Sequence, residues 1–268
     1  MPRYDTVSFL SDYGTADEFV GVVKSVIRGI APHVTVIDVT HHIPPHDVRA
    51  GGLALVRAVQ YLAPGVVLAV VDPGVGTDRR AVAVEVGDGA GVFVGPDNGL
   101  LASAVAMTGG AGRAVSLTNE EFQFPAPGPT FAGRDVFAPA AAHLANGVDL
   151  LELGEQIDAV TMLPGLLPIT RDEPDGLVAE VLWVDHFGNV QLNVDPEEIA
   201  ELGERVSLRW GEQRRTARRA TTYGDLKPGE IGLVVDSYGL LSIALNVRPA
   251  SEDLGLRAGD AVTLSEPS

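Results

Sequence analysis

Residues 66–80 read VVLAVVDPGVGTDRR, and this stretch decides the fold. Val66 to Val71 is apolar without interruption. A strand with one wet face alternates apolar with polar residues, whereas an unbroken run fits a strand covered on both faces. Such strands belong to parallel sheets sandwiched between helices. The run stops at Asp72, and Pro73, Gly74 and Gly76 make the turn that follows. In open α/β sheets ligands gather beyond that end of the strands.

The flanking sequence agrees. Thr6 to Leu10 is a short apolar strand that ends in the polar turn Ser11 to Thr15. Thr15 or Asp17 is placed to cap the next helix. That helix carries Phe19, Val22, Val23, Val26, Ile27 and Ile30 on one face. Val34 to Val39 reads as a strand and Val48 to Leu62 as a second helix. Ala81 to Val86 and Gly91 to Val94 read as strands, Leu100 to Met107 and Val136 to Ala145 as helices. The expectation for residues 1–165 is an α/β domain with a mostly parallel sheet covered by helices.

Residues 166–176 are polar and contain Pro, as in a linker. Residues 177–268 carry strand signals with little helix: Leu177 to Val184, Val190 to Val194, Val206 to Trp210, Ile231 to Val235, Leu241 to Val247 and Ala261 to Leu264. Short strands divided by Gly, Asn, Asp and Pro predict a smaller β domain, a barrel or a sandwich.

Composition narrows the function. The 268 residues are 46% apolar and 21% charged, with a net charge of −17 and no cysteine. The negative surface disfavours nucleic acid and anionic membranes as partners. Without cysteine there is no thiolate nucleophile and no Cys-based metal site. The start, MPRYDTVSFL, lacks the apolar core of a signal peptide, and no apolar run is long enough to span a membrane, so a cytoplasmic protein is expected.

Five polar clusters stand at the ends of the inferred elements. Asp12, with Asp17 beyond it, either accepts the hydroxyls of a ribose or caps the next helix. Asp72 is followed by Arg79, which either serves a ligand or closes a structural salt bridge. Asp97 and Asn98 fit a turn and a helix cap. Thr130 to Asp135 precede a helix, where backbone N–H groups face outward. In the β domain, Asp185, Phe187 and Asn189 form one turn and Ser237 and Tyr238 another. Asp185 suits an ammonium, Phe187 a stacked base, and Asn189 a paired hydrogen bond to an adenine edge or a carboxylate. Turn chemistry alone also accounts for Gly188 and Asn189.

Several functions are set aside. There is no phosphate-binding loop of the GxxxxGK type and no GxSxG elbow. The glycines of residues 87–91 precede a strand rather than a helix, unlike a dinucleotide fingerprint. His41, His42 and His46 match no standard zinc spacing and read as an exposed loop, so no metal is expected.

Six segments in order, SDYGTADEFVGVVKSVI, VVDPGVGTDRRAV, GPDNGLL, TFAGRDVFAPAAAHLA, DHFGNVQLN and SYGLLSIALN, span nearly the whole chain. Together they resemble the S-adenosylmethionine hydroxide adenosyltransferases, or S-adenosylmethionine hydrolases, relatives of the bacterial fluorinase and chlorinase. The resemblance implies an α/β domain followed by a β-barrel, assembled as a homotrimer with ligands bound between subunits. It implies hydrolysis of S-adenosyl-L-methionine to adenosine and methionine without a cofactor. Asp12 then matches the ribose-binding aspartate and Asp185 the residue that holds the methionine ammonium. Phe187 and Asn189 match the adenine contacts, which the backbone near Val247 completes, and Ser237 and Tyr238 match the carboxylate site.

In the hydrolase branch an Asp, an Arg and a His surround the attacking water. Asp72 and Arg79 match the first two. The family pattern Thr-Phe-His-Gly-Arg-Asp meets Ala132 where the histidine belongs, so either turnover is slowed or Asp72 and Arg79 suffice. Asp72 replaces the aromatic residue of the halogenases, and Gly133 stands where the fluorinase has its halide serine. Both departures favour water over halide. The alternatives are a halide-using 5′-halo-5′-deoxyadenosine synthase and a non-catalytic binder of adenosine or S-adenosylmethionine.

Overall fold

The computed structural model describes residues 3–267. The chain divides into two compact units between Leu167 and Pro168.

In the first unit the strands are β1 (Thr6–Ser11), β2 (Thr35–Thr40), β3 (Val66–Val70), β4 (Ala81–Val86), β5 (Gly91–Pro96), β6 (Ala111–Ser116) and β7 (Glu155–Ile157). The helices are α1 (Phe19–Ile30), α2 (Val48–Val59), α3 (Ala102–Met107) and α4 (Ala138–Ala145). The strands form one sheet in the order β2-β1-β3-β5-β4-β6-β7. Strands β2, β1, β3 and β5 are mutually parallel and β6 runs with them, while β4 and β7 run against them. The sheet is therefore mostly parallel, as expected. Strand β4 is reversed because residues 87–90 are too short a link for a parallel crossover, which needs a dozen or more residues.

The apolar run of β3 is explained by two cores. Val66, Leu68 and Val70 face one core, with Val23 and Ile27 of α1 and Ala141 and Leu144 of α4. Val67, Ala69 and Val71 face the other, with Leu55 of α2 and Ala104 of α3. Each buried Val or Leu stabilises the unit by roughly 1.5–3 kcal/mol against its exposed state.

Two local expectations are revised. Helix α1 begins after Glu18 with no side-chain cap, and Thr15 instead reaches His42 through a 3.3 Å contact between its Oγ1 and the ring Nε2. The helix expected from Val136 starts earlier, as a wide π-type turn over Gly133–Phe137 that runs on into α4.

The second unit contains β8 (Arg171–Glu173), β9 (Gly176–Val184), β10 (Val190–Leu192), β11 (Arg205–Trp210), β12 (Gln213–Ala220), β13 (Ile231–Val235), β14 (Leu241–Leu245) and β15 (Ala261–Ser265), with the short helix α5 (Ala250–Leu254). Seven strands close on themselves in the order β9-β10-β14-β13-β12-β11-β15, and β8 adds to β9 from outside. This is a barrel, filled by Val181, Val190, Leu208, Ile243 and Val262. Strand β8 lies within residues 166–176, which read as a linker.

Strand β12 gave no signal in the sequence. It reads QRRTARRA, and Ala217 alone is fully buried. Its arginines are satisfied laterally: Arg214 donates to Ser207 Oγ at 3.0 Å and Arg218 to Glu230 at 3.0 Å. No helix among the described residues is long and apolar enough to cross a membrane.

Candidate functional site: a buried charge pair and an open aromatic pocket

The first group of residues lies where the sheet changes direction. From β1 the chain moves out to β2, then crosses back to β3 on the other side of β1. The crevice at such a switch point is where open α/β sheets bind ligands. Asp12 follows β1 and Asp72 follows β3, so the two carboxylates flank it. Asp12 Oδ2 accepts from the backbone N–H of His46 at 2.9 Å, which ties the two loops together. Asp12 does not cap α1.

Asp72 and Arg79 meet through two parallel hydrogen bonds, Nε to Oδ1 at 2.8 Å and Nη2 to Oδ2. Their side chains are only 5% and 15% exposed. Gly74 allows this, because a Cβ there would lie 3.1 Å from Arg79 Cγ as the side chain curls back. The guanidinium also stacks over the Phe137 ring, 5.1 Å from its centroid. A bidentate, largely desolvated pair of this kind is held in one geometry. Ala132 lines a cavity of about 910 Å³ together with Thr77, Arg79, Gln123 and Asp135. Position 132 and Arg79 therefore share one open space.

Tyr13 was not singled out in the sequence, although it lies inside the first quoted segment. Its ring packs edge-on against Phe131 with centroids 5.7 Å apart. Burial raises its hydroxyl pKa well above the ordinary value, and the negative charges of Asp12, Asp72 and Asp135 add to that against the opposing pull of Arg79. The phenol is thus neutral at neutral pH. Nothing in the residue pattern marked it out, because Tyr, Phe and Leu suit the same apolar contact.

Asp97 and Asn98 are structural. Asp97 is buried, pairs with Arg80 and accepts from Leu163 N at 2.8 Å. Asn98 donates to Val71 O at 2.9 Å and so props the end of β3. The histidine loop is corrected in part. His42 and His46 are exposed, but His41 is buried with its Nδ1 2.8 Å from Ser11 Oγ. Its place is in the packing beneath β1.

The second group lies on the barrel. Asp185 shapes its own loop: Oδ1 accepts from Phe187 N and Asn189 N, and Oδ2 from Asn189 Nδ2, each at 2.8 Å. Gly188 is needed, since a Cβ would sit 2.4 Å from that of Pro249 and φ is +82°. Phe187 is left 76% exposed. It joins Asn189, Tyr223, Val247 and Arg248 around a pocket of about 450 Å³. Val247 has φ +56° and is 95% exposed. A β-branched residue in that region is strained, and such strain concentrates at ligand sites. Leu245 and Arg248 pair across it, so Asn246 and Val247 form the tight turn that imposes the conformation.

Ser237 and Tyr238 lie in the neighbouring loop and do not line this pocket. Asp236 holds that loop by accepting from Tyr238 N at 2.8 Å, and Gln191 donates to its other oxygen at 2.6 Å. Tyr223 lies between the two loops electrostatically. Burial raises its hydroxyl pKa, and Asp185 and Asp236 both push it further. Tyr223 and Arg248 escaped the sequence reading because neither belongs to a recognisable turn or motif. Among the described residues no group of three potential metal ligands occurs.

The first unit is thus an α/β sheet with paired charges at its switch point, and the second a closed barrel with an exposed aromatic pocket. The model of the SAM hydroxide adenosyltransferase N-terminal domain matches residues 7–154, and that of the C-terminal domain matches residues 179–263. The chain belongs to the SAM hydroxide adenosyltransferase family. It is 46% identical to an (R)-S-adenosyl-L-methionine hydrolase of Salinispora tropica over 97% of both chains. It is 29% identical to a fluorinase of Actinoplanes sp., also over 97% of both. A crystal structure of an uncharacterized conserved protein from Thermotoga maritima superposes with a TM-score of 0.89 at 34% identity, covering 97% of this chain and all of that one.

Proposed function

We propose that this chain hydrolyses S-adenosyl-L-methionine to adenosine and L-methionine by in-line attack of water on the ribose 5′ carbon. The observation that carries the reading is the buried Asp72–Arg79 pair at the sheet's switch point. The greater identity to a hydrolase than to a fluorinase supports it.

The chemistry asks little of the protein at the leaving group. A sulfonium departs as a neutral thioether, so no acid, metal or cofactor is needed to expel methionine. The oxygen–C5′ bond forms, the C5′–sulfur bond breaks with its electrons passing to sulfur, and the water loses a proton. The protein must hold the water in line and exclude competing solvent. In this reading Asp72 accepts a hydrogen bond or the proton from the water. Arg79 keeps Asp72 oriented through their paired hydrogen bonds. Asp12 takes the ribose hydroxyls, Phe187, Asn189 and the Val247 backbone take the adenine, and Asp185, Ser237 and Tyr238 take the methionine ammonium and carboxylate. Ala132 contributes no acid–base group, so turnover is slow.

A homotrimer and a cytoplasmic location are part of the proposal, tested by sedimentation and by cell fractionation. The deciding experiment incubates the purified chain with each sulfonium epimer of the substrate, with and without chloride or fluoride, and identifies products. Adenosine and methionine in equal amounts are expected, with the (R) epimer preferred, as the name of the Salinispora relative suggests. A 5′-halo-5′-deoxyadenosine product would establish the halogenase instead. Tight binding with no product over hours would establish a binder.

A further inference from the structure

Tyr13 stands directly after Asp12 at the end of β1, and its hydroxyl occupies a place that the chain keeps clear. A Cβ built on Gly133 would lie 2.2 Å from Tyr13 Oη, against 3.1 Å and 3.2 Å from the nearest ring carbons. The clash is thus with the hydroxyl far more than with the ring. Phe9, Phe19 and Phe131 surround the ring with centroid distances of 6.4, 5.7 and 5.7 Å and fix its direction. The hydroxyl itself makes no hydrogen bond to any described residue. Tyr13 is half-buried and its oxygen is not among the sealed-off polar atoms, so a water can reach it and complete its hydrogen bonding.

We propose that the Tyr13 hydroxyl is a second contact that orients the attacking water beside Asp72, with Gly133 kept small to leave it room. The inference rests on the hydrolase reading above. Ser11 pairs with Val70 in the parallel register of β1 and β3, so Tyr13 and Asp72 leave adjacent strand ends. A phenol both donates and accepts, so the two together can hold one water from two sides. That directs its lone pair, which a single carboxylate does not. The phenol stays neutral among Asp12, Asp72 and Asp135, and a neutral phenol is a poor nucleophile. It therefore positions the water without being alkylated itself.

The test compares the full chain with Tyr13→Phe, Gly133→Ala and the double variant. It measures kcat and KM for adenosine release from S-adenosyl-L-methionine, together with the melting temperature. Tyr13→Phe is expected to lower kcat about ten-fold, the size of one hydrogen bond made in the transition state, with KM and melting temperature unchanged. Gly133→Ala is expected to lower kcat by at least as much, by displacing the hydroxyl. Adding Gly133→Ala to Tyr13→Phe is expected to cost little more, because the clashing atom is gone. An unchanged kcat in Tyr13→Phe, a loss that falls on KM, or losses that multiply in the double variant would each overturn the inference. If the unsubstituted chain releases no adenosine, the hydrolase reading itself fails and takes the inference with it.

Discussion

The strand ends at the switch point of the first unit and the loops of the barrel handle polar groups in opposite ways. At the strand ends the charges are buried and paired with each other, as in Asp72 with Arg79 at 5% and 15% exposure. On the barrel the carboxylates of Asp185 and Asp236 brace their loops by accepting from N–H groups, while apolar Phe187 and Val247 stand in water. The first arrangement is ready for chemistry before any ligand arrives, since electrostatic groups act best when already oriented in a dry site. The second has exposed apolar area and strained backbone to offer, and both favour the arrival of a flat partner. In the proposed reaction the contrast separates a half that reacts from a half that recognises.

The strongest way to break this contrast is Asp72→Ala. It removes the acceptor for the water and leaves Arg79 buried without its partner. The expected outcome is a roughly 10²–10⁴-fold loss of kcat, with a stability loss of about 3–5 kcal/mol. Denaturant unfolding beside the activity assay checks both, and Asp72→Asn separates them because it keeps the shape. Undiminished hydrolysis would remove Asp72 from the mechanism.

Ala132→His sharpens the same half. It places an imidazole in the cavity shared with Arg79 and is expected to raise kcat up to about 10²-fold, the lower range for a positioned acid–base group. Steady-state adenosine release measures it. No increase would show that position 132 plays no part in handling water.

On the recognising half, Phe187→Ala is expected to weaken adenosine binding about ten-fold, in line with the loss of one aromatic stack on a base. Calorimetry reads the affinity. Since Phe187 is exposed, the melting temperature should not move. A fall in stability with affinity intact would make Phe187 a packing residue and erase the contrast.

The smallest expected effect is at Val247. Replacing it by Gly relieves the positive φ and is expected to stabilise the barrel by about 1 kcal/mol, net of the added backbone entropy of glycine. Thermal unfolding of Val247→Gly against Val247→Ala, which keeps the strain, tests this. Equal melting temperatures would show that no strain is stored there.

Much of this was legible in the chain itself. Periodicity located β1, α1, β3, β13 and most of their neighbours, because burial on one or two faces writes a repeat into the residues. The Asp72 and Arg79 positions stood out because a strand end, two glycines and opposite charges coincide there. The arginine-rich β12 was hidden, since its strand state comes from pairing with β11 and β13 and not from an apolar repeat. Strand β8 was hidden for the same reason. That Asp185 also braces its own turn depends on where the chain bends.

By itself, then, the amino-acid sequence determined the two-part make-up and the strand ends that carry acidic residues. These follow from local composition and spacing. The tertiary structure alone decided that Arg79 returns to Asp72, that His41 is buried, that Val247 is strained and that Tyr13 needs Gly133. Each of these depends on atoms brought together from distant or differently turned segments, and no one-dimensional pattern encodes a distance of that kind.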